Sequence, residues 1–314
     1  MEQTPSSKQF SLSKIKQTDP YGEDLALALY VCYELHYRSF SGVDPKWEWE
    51  PQLLGLRAAM EDVFLTALRA DAAAGDDVTA ALDALLVEQV PGNGISHYLR
   101  DHAQWWQMRE YIVHRSVYHL KEADPHAWVI PRLQGQAKAS LVAVEFDEFG
   151  GGREERMHAQ MFADLMAAVG LSPDYLHYLD DVPAPAIALV NLMSMFGLHR
   201  RLRGALVGHF TAAEITTSPS AQRITQALER LGAGPTCTLF FTEHIEADAV
   251  HEQVLRRDVI GSLLDREPEL AGDVVFGIAA TELLETRLAD HLLKAWRAGA
   301  TSLHHPLPEH SGPR

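Results

Sequence analysis

The chain has 314 residues, 46% of them apolar and 22% charged, which is ample material for a hydrophobic core, and its formal net charge is −16. That charge argues against nucleic acid and anionic membrane as partners and mildly favours a neutral or cationic ligand. The two cysteines, Cys32 and Cys237, lie in apolar helical contexts and give neither a disulfide framework nor a CxxC site, and no stretch approaches the roughly 18 apolar residues of a membrane span.

Residues 1–20 read as a disordered polar lead. They lack the apolar segment of a secretory signal, so a cytoplasmic protein is expected. Residues 22–40 carry Leu25, Leu29, Cys32 and Leu35 at helical spacing, with His36 on the same helix. A turn-rich loop follows, whose Trp47 and Trp49 are expected to pack back over the domain. Residues 54–73 and 77–88 read as two amphipathic helices, and a further helix runs from about His97 to Glu122. Asp124-Pro125 is a helix-start signal. The helix it opens, broken near Pro131, ends at Gly150-Gly151-Gly152.

Residues 153–169 form the next helix. Residues 183–215 form a long one, punctuated by Gly197, Gly204 and Gly208, which suit a kink or close approach of a ligand to the backbone. The segment around Pro219 is expected to end it. A short helix over 221–231, the helix of Cys237 and a last one over 269–299 complete the chain. Period-two alternation is absent. The expected fold is therefore all-α, with nine or ten helices in a single domain. N-terminal helices over 20–96 are expected to pack on a core over 97–300, with a flexible tail over 301–314.

The chemistry concentrates in His244-x3-Asp248-x2-His251. At about 100° per residue, Asp248 lies roughly 40° from His244, and His251 roughly 20° to the other side. Two imidazoles and a carboxylate on one helical face suit a redox metal such as iron. Further inward carboxylates and imidazoles would complete such a site. The candidates are Glu122 at a helix end, Glu148 before the glycine triplet, His158 after it, and Glu214 in a small, apolar context. Any one of them, taken alone, is more often a hydrogen-bonded structural residue than a ligand.

The ordered set Glu122, His158, Glu214, His244, Asp248 and His251 resembles the ligand pattern of the haem-oxygenase-like di-iron oxidases. Residues 120–126 (LKEADPH), 145–158 (EFDEFGGGREERMH) and 242–251 (TEHIEADAVH) look like its bacterial branch of iron-containing redox enzymes. The resemblance covers about residues 97–298. It implies a haem-oxygenase-like helical bundle that holds two iron ions and no haem. O2 and a small organic substrate would be its partners, with electrons from an external donor and a homodimer as one arrangement. Amine N-oxygenases of this family carry a seventh ligand, a Glu ten residues before the second-helix His, and Glu148 occupies that position. N-oxygenation of an amine or amino acid is therefore favoured over desaturation, decarboxylation or C–C cleavage on the same site.

Two other assignments compete. A ferritin-type reading pairs Glu155 with His158 and Asp248 with His251, leaving His244 idle. A haem reading would use His36. A non-catalytic helical module that stores metal or binds a partner is the alternative from another class. Hydrolase signatures are missing: His251-Glu252-Gln253-Val254-Leu255 fails the last position of HExxH, and there is no GxSxG or P-loop. Tyr118, Trp105, Trp106 and Phe241 are expected in the core, and Arg200, Arg201 and Arg203 in solvent.

Overall fold

The computed structural model describes residues 12–87 and 90–308, with the backbone alone at residues 12, 13 and 246–249. Most of the polar lead and the last six residues of the tail therefore lie outside the described residues. Among those described, twelve α-helices exceed a single turn and no strand occurs. They are α1 (Glu23–Glu34), α2 (Pro51–Asp71), α3 (Val78–Leu85), α4 (Ile95–Asp101), α5 (Trp105–His119) and α6 (Gly135–Glu148). After the glycine triplet come α7 (His158–Ala168), α8 (Ala184–Leu198), α9 (Arg203–Arg230), α10 (Pro235–Val254), α11 (Gly261–Arg266) and α12 (Ala271–Arg297).

Local chemistry sets several of the starts. The Asp77 carboxylate accepts from the backbone N–H of Ala80 at 2.9 Å and caps α3. Gln104 and Gln107 close a reciprocal capping box at the start of α5. Residues 97–122 are thus two helices rather than one, because the chain breaks at His102 and restarts at that box. The centre of the molecule is α9, flanked by α10 and α12. Gly277 of α12 lies against the backbone of α9: a Cβ there would sit 2.0 Å from the carbonyl oxygen of Ala205. Gly208 of α9 reciprocates, with 2.1 Å to that of Val274. These glycines bring two helices together; no ligand is needed to account for them.

The expected stop at Pro219 is absent, and α9 runs through it to Arg230. Buried Ile215 on one side and Ala221 and Ile224 on the other keep both halves packed in the apolar core. Tertiary burial here outweighs the proline's lost hydrogen bond. The chain breaks instead at His199–Leu202, between α8 and α9.

Two apolar clusters run through the bundle. One joins Leu25, Leu29 and Phe64 of the N-terminal helices to Leu192, Phe210 and Val274; the other joins Tyr30 to Met108, Ile224, Phe240 and Trp296. The N-terminal helices thus share the core of the remainder. Two expectations fail locally. Trp47 and Trp49 stay 49% and 67% exposed, with Trp49 meeting His36 edge-on. Residues 301–308, expected to be a flexible tail, are strapped down: the buried carboxylate of Glu110 accepts from Thr301 Oγ1, from Ser302 N and Oγ, and from Trp296 Nε1. Among the described residues, no helix is long and apolar enough to cross a membrane.

Candidate metal centre

Six of the seven expected site residues converge at the middle of the bundle, from five parts of the chain. Glu122 follows α5, Glu148 ends α6, His158 begins α7, Glu214 lies on α9, and His244 and His251 lie on α10. All six are buried. The side chain of Asp248, the seventh, lies outside the described residues.

The glycine triplet explains how Glu148 and His158 meet. Gly150, Gly151 and Gly152 all have positive φ, at 70°, 62° and 80°. Such angles cost an L-residue with a Cβ. They turn the chain back so that the last residue of α6 faces the first of α7. His158 Nδ1 ends 2.8 Å from Glu148 Oε2.

On α10 the two histidines are seven positions apart, so they share a face but stand about 10 Å apart along the axis. Each falls in a different group. Glu122, Glu148, His158 and His244 offer ligand atoms all within 4.8 Å of one another; Glu148, Glu214 and His251 do the same. Glu148 belongs to both groups.

The hydrogen bonds prepare these atoms. His244 Nδ1 donates to the carbonyl of Phe240 at 2.7 Å, which directs Nε2 into the site, 3.7 Å from Glu122 Oε1. The other oxygen of Glu122 lies 2.9 Å from His119 Nδ1. His251 Nδ1 is 3.0 Å from Glu214 Oε2 and 3.5 Å from Glu148 Oε1. On its far side, Nε2 is 3.4 Å from Asp147, whose side chain is largely exposed. Asp147 escaped notice in the sequence, since only the fold brings it to His251.

Burial opposes ionisation of Glu122, but His119 and His244 outweigh it and hold the carboxyl well below its usual range. Burial raises Glu214, with repulsion from Glu148 added and His251 opposing. Burial also works against a charge on His251, yet Glu214, Glu148 and Asp147 lift it to about 9. Neither Glu148 Oε1 nor His158 Nδ1 makes a hydrogen bond, although both are buried. Unsatisfied donor atoms converging on one place, all nitrogen or carboxylate oxygen, fit a metal of the iron type.

The competing assignments do not gather. Glu155 is exposed and belongs to neither group. His36 lies among Glu48, Arg57 and Trp49. Arg200 and Arg201 are exposed, and Arg203 pairs with Glu267.

A cavity of about 350 Å³ reaches Glu122, Glu214 and His244. Its wall includes Tyr118 and Phe241, which therefore do more than fill the core, and also Arg115, Glu285, His126 and His209. Arg115 and Glu285 form a two-pronged pair at 2.7 Å on each side. Thr281 Oγ1 donates to the carbonyl of Gly277, so it accepts from His209 Nδ1 at 2.8 Å, and His209 Nε2 keeps its lone pair. Burial lowers His209 to about 4, so its ring is neutral.

Comparison with known proteins bears on the family and the fold. The model of a family described as iron-containing redox enzymes matches residues 109–286. Nitrosourea synthase of Streptomyces achromogenes subsp. streptozoticus is 25% identical over 166 residues, which is 52% of this chain and 35% of that protein. The match thus spans about a third of that relative's length. A domain of unknown function with a heme oxygenase-like fold from Shewanella denitrificans OS217 superposes with a TM-score of 0.51 at 20% identity, covering 76% of this chain and 97% of that one. At that identity the likeness is one of fold, and the fold of this chain is haem-oxygenase-like. With more than half of its length matched, the chain belongs to the family of iron-containing redox enzymes.

Proposed function

We propose that this chain is a non-haem di-iron oxidase that uses O2, and electrons from an external donor, to N-oxygenate a small amine or amino acid. The observation that carries the reading is Glu148. One buried carboxylate is shared by two groups of ligand atoms, the position a bridge between two ions requires. Glu122, His158 and His244 would serve one ion, Glu214 and His251 the other, with Asp248 as a further ligand. The chemistry such a pair supplies is two-electron activation of O2: one oxygen atom passes to the amine nitrogen, and the other leaves as water with two protons.

The chain's own residues do the rest. Phe240 and His119 orient His244 and Glu122. The cavity would seat the substrate beside those ligands. Its wall offers acceptors that no cation already holds: Glu282 as a carboxylate and His209 through Nε2. Arg115 is already neutralised by Glu285. That balance suits a ligand carrying N–H donors and positive charge, which favours an amine over a simple acid. The homologous nitrosourea synthase, whose name implies formation of N–O chemistry, points the same way.

The test is anaerobic loading with Fe(II), measurement of iron per chain, and then exposure to O2 with a panel of amines and carboxylic acids. Two irons per chain, with O2 consumption stimulated by an amine and a hydroxylamine or further-oxidised nitrogen in the product, is the expected result. Uptake of iron without substrate-dependent O2 consumption would leave a metal store. Stimulation by an acid alone, with loss of CO2 or hydrogen, would replace N-oxygenation with carbon chemistry.

A further inference from the structure

Glu145 is a buried carboxylate with no role so far. It lies three residues before Glu148 on α6, about 4.5 Å back along the axis and roughly 60° around it. Its side chain is 3% exposed, and neither oxygen has a hydrogen-bond partner. Among the described residues it is the one carboxylate with both oxygens in that condition.

The other deeply buried acids behave differently. Glu34 is bonded by Lys121 and Tyr175, Glu61 by Tyr33 and His199, and Glu110 by four donors. Those acids hold the fold together. Glu145 holds nothing; burial pushes its carboxyl well above the usual range, and the acids Glu148, Glu214 and Asp124 push it the same way. It acts in turn on Tyr118, together with Glu122, Glu148 and Glu214. A leucine would suit such a place better than a glutamate if the fold alone were at stake. A cation between these carboxylates reverses that balance, because it supplies the positive charge they lack.

We propose that Glu145 is a metal-binding carboxylate, an additional ligand that the centre takes up when iron enters. The inference rests on the iron reading above. It adds a fourth glutamate to Glu122, Glu148 and Glu214, from outside the two groups whose ligand atoms already lie within 4.8 Å of one another. A glutamate one helical turn from the shared carboxylate would supply a further oxygen to an ion held by Glu148.

The experiment uses the full chain, free of metal, as wild type, Glu145→Gln and Glu145→Leu. Anaerobic titration with Fe(II) alone gives affinity and stoichiometry, and thermal unfolding is followed with and without the ion. The expected result has two opposite signs. Both variants unfold at the same temperature as metal-free wild type or higher, yet bind Fe(II) at least tenfold more weakly and lose most of its stabilising shift. Wild-type affinity and stoichiometry in both variants would overturn the proposal. So would a lower unfolding temperature for both metal-free variants, since the carboxylate would then serve the fold. Failure of the wild type itself to take up Fe(II) would overturn the iron reading and this inference together; failure in the variants' comparison alone leaves that reading standing.

Discussion

Glu148 Oε2 lies 2.8 Å from His158 Nδ1, and the ten-residue step between them is folded back by three glycines at positive φ. Gly150 is the most constrained of the three. A Cβ there would lie 2.6 Å from the carbonyl carbon of Arg156 and from the nitrogen of Met157, both backbone atoms that cannot swing aside. Gly150→Ala is therefore expected to cost about 2 kcal/mol or more, from the left-handed conformation and the clash combined. It should also separate Glu148 from His158. Thermal unfolding and an Fe(II) titration check both parts; a variant with wild-type stability and iron affinity would show that the turn is not what sets the pair.

A pH dependence follows from three buried imidazoles that bind no proposed metal. Burial lowers His114 and His126 well below the ordinary value and His209 to about 4. The unfolded chain takes up protons on these rings near pH 6.5, while the folded chain refuses them, so stability falls as pH drops below about 6.5. For His209 the loss continues until about pH 4 and then levels off. Each such ring contributes a slope of at most about 1.4 kcal/mol per pH unit in its window. Denaturant unfolding of metal-free protein between pH 7 and 5 should show the decline, and His209→Leu should make it shallower. An unchanged slope in that variant would show that His209 protonates in the folded protein.

The residue before Glu122 carries a third expectation. Lys121 is 1% exposed, with Nζ 2.9 Å from a carboxylate oxygen of Glu34, which also accepts from Tyr175. The ammonium stands 4.4 Å from the ring centres of both Tyr30 and Tyr37. Removing one partner strands the other charge in the interior, which costs about 3–5 kcal/mol. Lys121→Met should therefore destabilise the metal-free protein strongly, and the double variant with Glu34→Gln should recover part of the loss. The backbone that presents Glu122 would shift with it, so Fe(II) affinity should fall in the single variant. Equal stabilities of single and double variants would mean that the pair is not coupled.

The metal-side histidines are legible in the chain because a helix repeats every 3.6 residues, and His244 and His251 keep one face over two turns. Glu122, Glu148 and Glu214 are legible as acids in small or apolar surroundings. What the sequence hides is long-range. Arg115 and Glu285 stand 170 positions apart, and His209 meets Thr281 across 72, so the cavity wall has no local pattern. Pro219 misleads for the same reason, since what carries α9 past it is burial between α10 and α12. Glu145 looks like any acid of an amphipathic helix until its surroundings are known. The strapped residues 301–308 depend on Glu110, far away in α5.

The last expectation concerns α10. A bound metal would tie this helix to the end of α5, the α6–α7 turn and α9, through ligand atoms that now repel or only partly satisfy one another. Any opening of α10 that draws His244 or His251 out of the site must first release the ion. At a free Fe(II) concentration about 100 times the dissociation constant, that linkage adds about 2.7 kcal/mol to such openings, a slowing of about a hundredfold. Amide hydrogen exchange over residues 244–251 should therefore slow on anaerobic addition of Fe(II). The outer turns of α12, which carry none of the ligands, should change little and serve as the internal control. Exchange over 244–251 that is the same with and without the ion would separate α10 from metal binding. A uniform slowing that includes α12 would instead mean that the helix opens only when the whole domain unfolds.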